Sequence, residues 1–238
     1  MQLGDLWIKG FFLTKLDEAG AMEAWQLYAF IGLGLLIAGI VVPYLLGSIN
    51  SAVFLSRVLY HDDVRKHGSG NAGTTNMLRT YGKAAALFTL LGDILKTVLA
   101  VTCGSLLMGA SLGGWVAALF CMLGHIFPIY SRFKGGKGVL CAATAVAMLS
   151  PLAFLCVLLT FIILVSMTKY VSLGSIVGGL MLPLFINMFN NITKTGGING
   201  LISVMIALLI LWCHRENIKR IQNRTESKLS FRKKDKEG

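Results

Sequence analysis

The sequence predicts an all-α integral membrane protein: about seven transmembrane helices in one bundle, with a polar site at the cytoplasmic face. Three observations carry this. Apolar residues make up 55% of the chain against 14% charged, and the mean hydropathy is +0.71, a composition that belongs in a bilayer. The apolar residues fall in runs, most of them long enough to cross one. Lysine and arginine, which give a formal charge of +11, gather at the ends of those runs and in the C-terminal tail. That placement suits anionic headgroups and anionic substrates, and it speaks against nucleic acid.

Residues 1–25 form a mixed extension in which Trp7, Phe11 and Phe12 are interleaved with Lys9, Lys15, Asp17, Glu18 and Glu23. Acidic residues precede the apolar core and no cleavage pattern follows, so it does not read as a signal peptide. The membrane domain, 26–213, has apolar stretches at about 26–58, 84–108, 112–130, 139–149, 151–168, 171–190 and 199–213. Pro43 and Gly47-Ser48-Ile49-Asn50-Ser51 interrupt the first. The 139–149 stretch is shorter than the roughly 17 residues of a full crossing, so it is either a half-helix docked in the bundle or one limb of a helix broken at Ser150-Pro151. Residues 214–238 form a basic tail.

Seven crossings place Arg65, Lys66, Arg79, Arg132, Lys134, Lys137, Lys169 and the tail on one face, and leave Lys194 as the only basic residue in the connections on the other. The N-terminus is then external and the tail cytoplasmic. Five cysteines lie inside or at the ends of apolar runs without Cys-x-x-Cys spacing, and read as small core residues.

The same count collects four polar clusters on the cytoplasmic face. The first, His67 to Arg79, is rich in glycine and hydroxyls. Gly68, Gly70 and Gly73 can expose backbone N–H groups as an anion nest, with Ser69, Asn71, Thr74, Thr75 and Asn76 as neutral donors and Arg79 as a fork for phosphate. Those glycines also fit Gly-x-Gly-x-x-Gly, but the flanks are membrane helices, and Gly82-Lys83-Ala84 fails the Walker pattern. Read alone, the stretch could equally be a ligand-free connecting loop. The second cluster runs from Gly124-His125 to Lys134-Gly135-Gly136-Lys137-Gly138, where a lysine stands at a helix start. Tyr170-Val171-Ser172 is the third, and His214 with Asn217 one helical turn on is the fourth.

Asp93 and Lys96, at i and i+3 inside an apolar run, suggest a structural pair ahead of a direct catalytic role. His125 reads as a packed or capping histidine, and Asn50 and Ser51 as helix-packing residues. No metal-ligand spacing or His-x4-Asp dyad occurs, and the one Gly-x-Ser-x-Gly match, Gly109 to Gly113, lies in a turn between apolar runs rather than at the strand-to-helix elbow such a nucleophile needs. The candidate site is rich in phosphate binders and poor in general bases, so an enzyme here needs a substrate that supplies part of the catalysis. A phosphate transporter would need a similar basic cavity, but the chain has no internal repeat.

Taken in order, Tyr44-Leu-Leu-Gly47-Ser48-Ile49, Gly68-Ser69-Gly70-Asn71-Ala-Gly73-Thr-Thr75-Asn76 with Arg79 and Gly82, Asp93-x-x-Lys96, Gly124-His125-x-x-Pro128, Phe133-Lys134-Gly135-Gly136-Lys137-Gly138, Tyr170-Val-Ser172-Leu and His214-Arg215-Glu216-Asn217 resemble a known family. It is the bacterial membrane acyl-phosphate:glycerol-3-phosphate acyltransferases, and the likeness covers roughly residues 40–225. The resemblance implies a multi-pass enzyme of the bacterial inner membrane. It would move an acyl group from acyl phosphate to the sn-1 hydroxyl of glycerol 3-phosphate, giving lysophosphatidic acid and phosphate. The donor would come from the bilayer or a phosphate:acyl carrier protein acyltransferase; membrane lipids surround the enzyme, and no metal or cofactor is needed. By the same resemblance Ser69, Arg79, Lys137 and His214 are the catalytic residues. Gly70, Asn71, Thr75, Asn76, Gly135, Gly136, Ser172 and Asn217 bind substrate, and the acceptor's proton goes to the acyl phosphate's own phosphate. The chain departs from the family pattern in its long N-terminal extension, at Thr97 after Lys96, and at Asn50.

Overall fold

The computed structural model describes residues 29, 32–34, 37–108, 110–193 and 197–229, so the N-terminal extension lies outside it. The described residues are helical and contain no strand. A π-turn, Ile37–Val41, leads into α1 (Val42–Ser48), and after a break at Ile49 and Asn50 comes α2 (Ser51–Tyr60). Asn50 caps α2, its amide oxygen accepting from the Val53 N–H at 3.0 Å, and its NH2 donates to the Ala72 carbonyl at 3.3 Å. It therefore does more than pack: it ties the helix break to the first polar cluster.

α3 (Thr74–Tyr81) and α4 (Lys83–Met108) meet at Gly82. A π-turn, Ala110–Gly114, precedes α5 (Trp115–Ile126); then follow α6 (Val139–Leu149), α7 (Pro151–Thr168), α8 (Val171–Thr193), α9 (Ile198–Cys213) and α10 (Arg215–Gln222). By length and apolarity, Gly32–Tyr60, Lys83–Met108, Leu112–Ser131, Pro151–Thr168 and Val171–Asn190 can cross a membrane. Counting the bent pair α9–α10 as one span brings these five to six, short of the seven read from the sequence. The shortfall is α6, whose 11 residues rise only about 16 Å against a hydrocarbon core of about 30 Å.

Close helix crossings explain two of the glycines in the sequence motifs. A Cβ on Gly47 would lie 2.0 Å from the Cys121 carbonyl oxygen, and one on Gly124 2.1 Å from that of Tyr44, so α1 and α5 touch backbone to backbone. The largest apolar cluster runs from Trp115 and Met122 through Val146 to Leu182, Ile186, Ile206 and Ile210. Leu95, Leu99, Leu155, Leu159 and Leu208 point outward and are exposed, as a lipid-facing surface requires.

A buried polar knot lies behind the site. Asp93 Oδ1 is 2.8 Å from Lys96 Nζ and accepts from Ser51 Oγ at 2.9 Å. The pairing expected from their spacing is present. Lys96 Nζ also donates to the carbonyls of Gly47 at 3.1 Å and Ile49 at 3.0 Å, which the α1–α2 break leaves without helical partners. Its fourth neighbour is His125 Nδ1, at 2.9 Å. An ammonium can only donate, so Nδ1 accepts and the imidazole carries its proton on Nε2.

Candidate functional site

The four polar clusters meet at one cavity of about 510 Å³. Its polar end is lined by Ser69, Asn71, Thr75 and Arg79 from the α2–α4 segment, Lys137 before α6, Ser172 at the start of α8, and His214 and Asn217 around the α9–α10 joint. Asp93 and His125 of the buried knot also reach the lining. Beyond this end the walls turn apolar, with Val139 and Val146 of α6, Phe154, Val157 and Phe161 of α7, and Leu182 of α8.

The first cluster is built differently from the nest expected of its glycines. Gly68 and Gly70 do take positive φ, at 58° and 71°. However, the Gly70 N–H is bound to the His67 carbonyl, the Ser69 N–H to Asn76 Oδ1, and the Gly73 N–H to the Asn71 carbonyl. These donors are spent inside the loop, so side chains and the first turn of α3 are left to meet a ligand. Asn76, 1% exposed, gives both amide hydrogens to the Val64 and His67 carbonyls and acts as the loop's internal brace, though it too borders the cavity. Gly70 does not line the cavity.

The double glycine of the second cluster has a packing cause. A Cβ on Gly135 would fall 2.0 Å from the His125 carbonyl oxygen, and one on Gly136 2.1 Å from His125 Nε2. Their N–H groups bond to the carbonyls of Ile126 and His125 at the end of α5. Both glycines border a second, smaller cavity of about 210 Å³ beside Lys137, not the main one. Arg65, read from the sequence only as a topology charge, joins the two clusters by donating to the Ser131 and Lys134 carbonyls at 3.1 and 2.8 Å.

Lys137 Nζ makes a short hydrogen bond to Asn217 Oδ1, and the Asn217 NH2 donates to Glu226 Oε1 at 2.7 Å. Burial, with the Arg220 charge nearby, lowers the Lys137 pKa to about 8. Burial and the Lys137 charge lower that of His214 to about 4, so its imidazole is neutral. His214 Nδ1 lies 2.8 Å from the Ile210 carbonyl, which can only accept; the proton sits on Nδ1 and leaves Nε2 a bare acceptor.

Sequence reasoning missed Glu226. Its carboxylate lines the cavity and accepts from Ser172 Oγ at 2.8 Å, Asn217, and Arg220 Nε at 2.7 Å. Burial would raise its pKa, but these hydrogen bonds hold it below the ordinary carboxylate value. Arg79 donates to the neighbouring Ser227 carbonyl at 3.3 Å. The segment read as a basic tail thus closes over the site, and the available signal was one acidic side chain between Arg224 and Lys228.

Residues 37–224 match the family model described as glycerol-3-phosphate acyltransferase. The chain belongs to that family. Within the glycerol-3-phosphate acyltransferases, the Clostridioides difficile (strain 630) protein is 41% identical over 198 residues, covering 81% of this chain and 95% of the relative. The Bacillus subtilis (strain 168) protein is 36% identical over 192 residues, 81% of this chain and 96% of its own. Among solved structures, PlsY (YgiH), an integral membrane glycerol 3-phosphate acyltransferase, is similar in its glycerol 3-phosphate form with a TM-score of 0.68 and 32% identity. That likeness covers 81% of this chain and 94% of that one. Its lysophosphatidic acid form aligns with a TM-score of 0.67 and 30% identity over the same shares. The chain is accordingly a multi-pass, all-helical membrane acyltransferase of the PlsY type.

Proposed function

We propose that the chain transfers a fatty acyl group from acyl phosphate to the sn-1 hydroxyl of glycerol 3-phosphate, giving lysophosphatidic acid and inorganic phosphate. One observation carries the reading: a single cavity joins Arg79 and Lys137 at a polar end to an apolar channel walled by α6, α7 and α8. A phosphorylated polyol fits the first part and an acyl chain the second. Both reactants are anionic, so their repulsion must be offset before the reacting atoms approach to about 3–3.5 Å. Arg79 and Lys137 supply the offset, with Ser69, Asn71, Thr75 and Ser172 orienting oxygens. Gly70, Asn76, Gly135 and Gly136 serve by shaping the two loops that carry those groups. Asn217 holds Lys137, and Glu226 holds Asn217 and Ser172 while Arg220 balances its charge.

The acceptor oxygen attacks the acyl carbonyl carbon, the bond from that carbon to the phosphate oxygen breaks, and the hydroxyl proton leaves with the phosphate. His214, with a pKa of about 4, is too weak a base to take that proton, but its free Nε2 can orient the hydroxyl. The leaving phosphate is the stronger base. Acyl phosphate is already an activated anhydride, so the step needs neither metal nor cofactor. We place the site at the cytoplasmic face of the bacterial inner membrane, with the N-terminus external and the C-terminus inside. The donor then arrives through the bilayer or from a phosphate:acyl carrier protein acyltransferase. Purified protein given palmitoyl phosphate and glycerol 3-phosphate should form 1-acyl lysophosphatidic acid, and should form none with palmitoyl-CoA. Equal turnover with the thioester would overturn the donor assignment.

A further inference from the structure

We infer that the closed apolar end of the cavity, walled by Val146, Phe154 and Leu182, measures the acyl chain and sets the longest donor the site accepts. This rests on the acyl-transfer reading above. Three helices lead the same way from the polar end: α6 from Val139 to Val146, α8 from Ser172 to Leu182, and α7 in reverse from Phe161 to Phe154. The stretch from Ser172 to Leu182 spans about 15 Å at helical rise. Its far end does not open on lipid. Val146 and Leu182 are each 3% exposed, and both belong to the largest apolar cluster, with Phe154 packed against them.

Small residues keep the space between free. Ala142 and Ala143 line it from α6, and Gly174, Ser175, Gly178 and Gly179 from α8. A Cβ on Gly178 would stand 3.3 Å from Val157 Cγ1, so α7 and α8 touch there and a larger side chain has to grow into the channel part-way along. A donor drawn from the bilayer exchanges one hydrocarbon surrounding for another, so each methylene that fits changes turnover little. The first one too many meets a packed wall and loses roughly tenfold or more. A groove open to lipid would show no drop.

Full-length protein in nanodiscs, given glycerol 3-phosphate and an equimolar mixture of lauroyl, myristoyl, palmitoyl, stearoyl and arachidoyl phosphates, reads this in one vessel as the ratio of products by mass. The wild type should stay nearly level with length and then drop by roughly tenfold or more. Phe154→Ala should move the drop to longer chains and Gly178→Leu to shorter ones, with Phe154→Leu and Gly178→Val shifting it less in the same directions. Opposite shifts cannot come from general loss of fold. A profile without a drop, or a drop unmoved in all four variants, overturns the ruler and leaves acyl transfer standing. No product from any donor removes both.

Discussion

Asn217 holds the Lys137 ammonium in place without neutralising it, as the proposed grip on phosphate requires. Its amide oxygen takes the ammonium while its NH2 is fixed on Glu226, so a neutral group separates the cation from the carboxylate. Arg79→Ala and Lys137→Ala should each cut turnover by about a hundredfold or more in folded protein. Arg79→Lys should recover only part of it, because the planar fork is lost. A lysine is charged only below its pKa, and that of Lys137 lies at about 8. The kcat/KM for glycerol 3-phosphate should therefore fall as pH rises through about 8 in the free enzyme. Lys137→Arg, if active, should carry that fall to higher pH. Glu226→Gln keeps the shape but weakens the hold on Arg220 and Asn217, and should raise the KM for glycerol 3-phosphate by roughly tenfold.

Among the elements, α6, α7 and most of α9 stand within a residue of the apolar stretches read from the sequence, because Gly138, Ser150-Pro151 and His214 punctuate them. What periodicity could not reveal was how the break between α1 and α2 is made good. Lys96 reaches across from α4 to the carbonyls stranded there, and Asp93 balances its charge in a site where neither is more than 5% exposed. Asp93→Asn leaves that ammonium buried and uncompensated, and should cost about 3–5 kcal/mol of stability. The measure is loss of the folded fraction on heating in detergent, compared with an exposed control such as Lys219→Gln, which should change little.

Across the whole molecule, the four clusters were legible because glycine, hydroxyl and basic residues are out of place between apolar runs. Their meeting at one cavity followed from putting all four on the same face. Two features were not legible. The backbone donors of the glycine loops are consumed, those of Gly70 and Gly73 within their own loop and those of Gly135 and Gly136 at the end of α5. The segment around Glu226 folds back onto Ser172, a contact 54 residues long in sequence that no local pattern encodes. With those amides spent, the proposed phosphate binding falls to side chains. Binding of radiolabelled glycerol 3-phosphate to wild type and Lys137→Ala in the same nanodiscs tests that most directly. The wild type should bind saturably and the variant with affinity weaker by at least about 30-fold, the cost of removing one charged partner from a buried site. Equal affinity in the two would contradict that assignment.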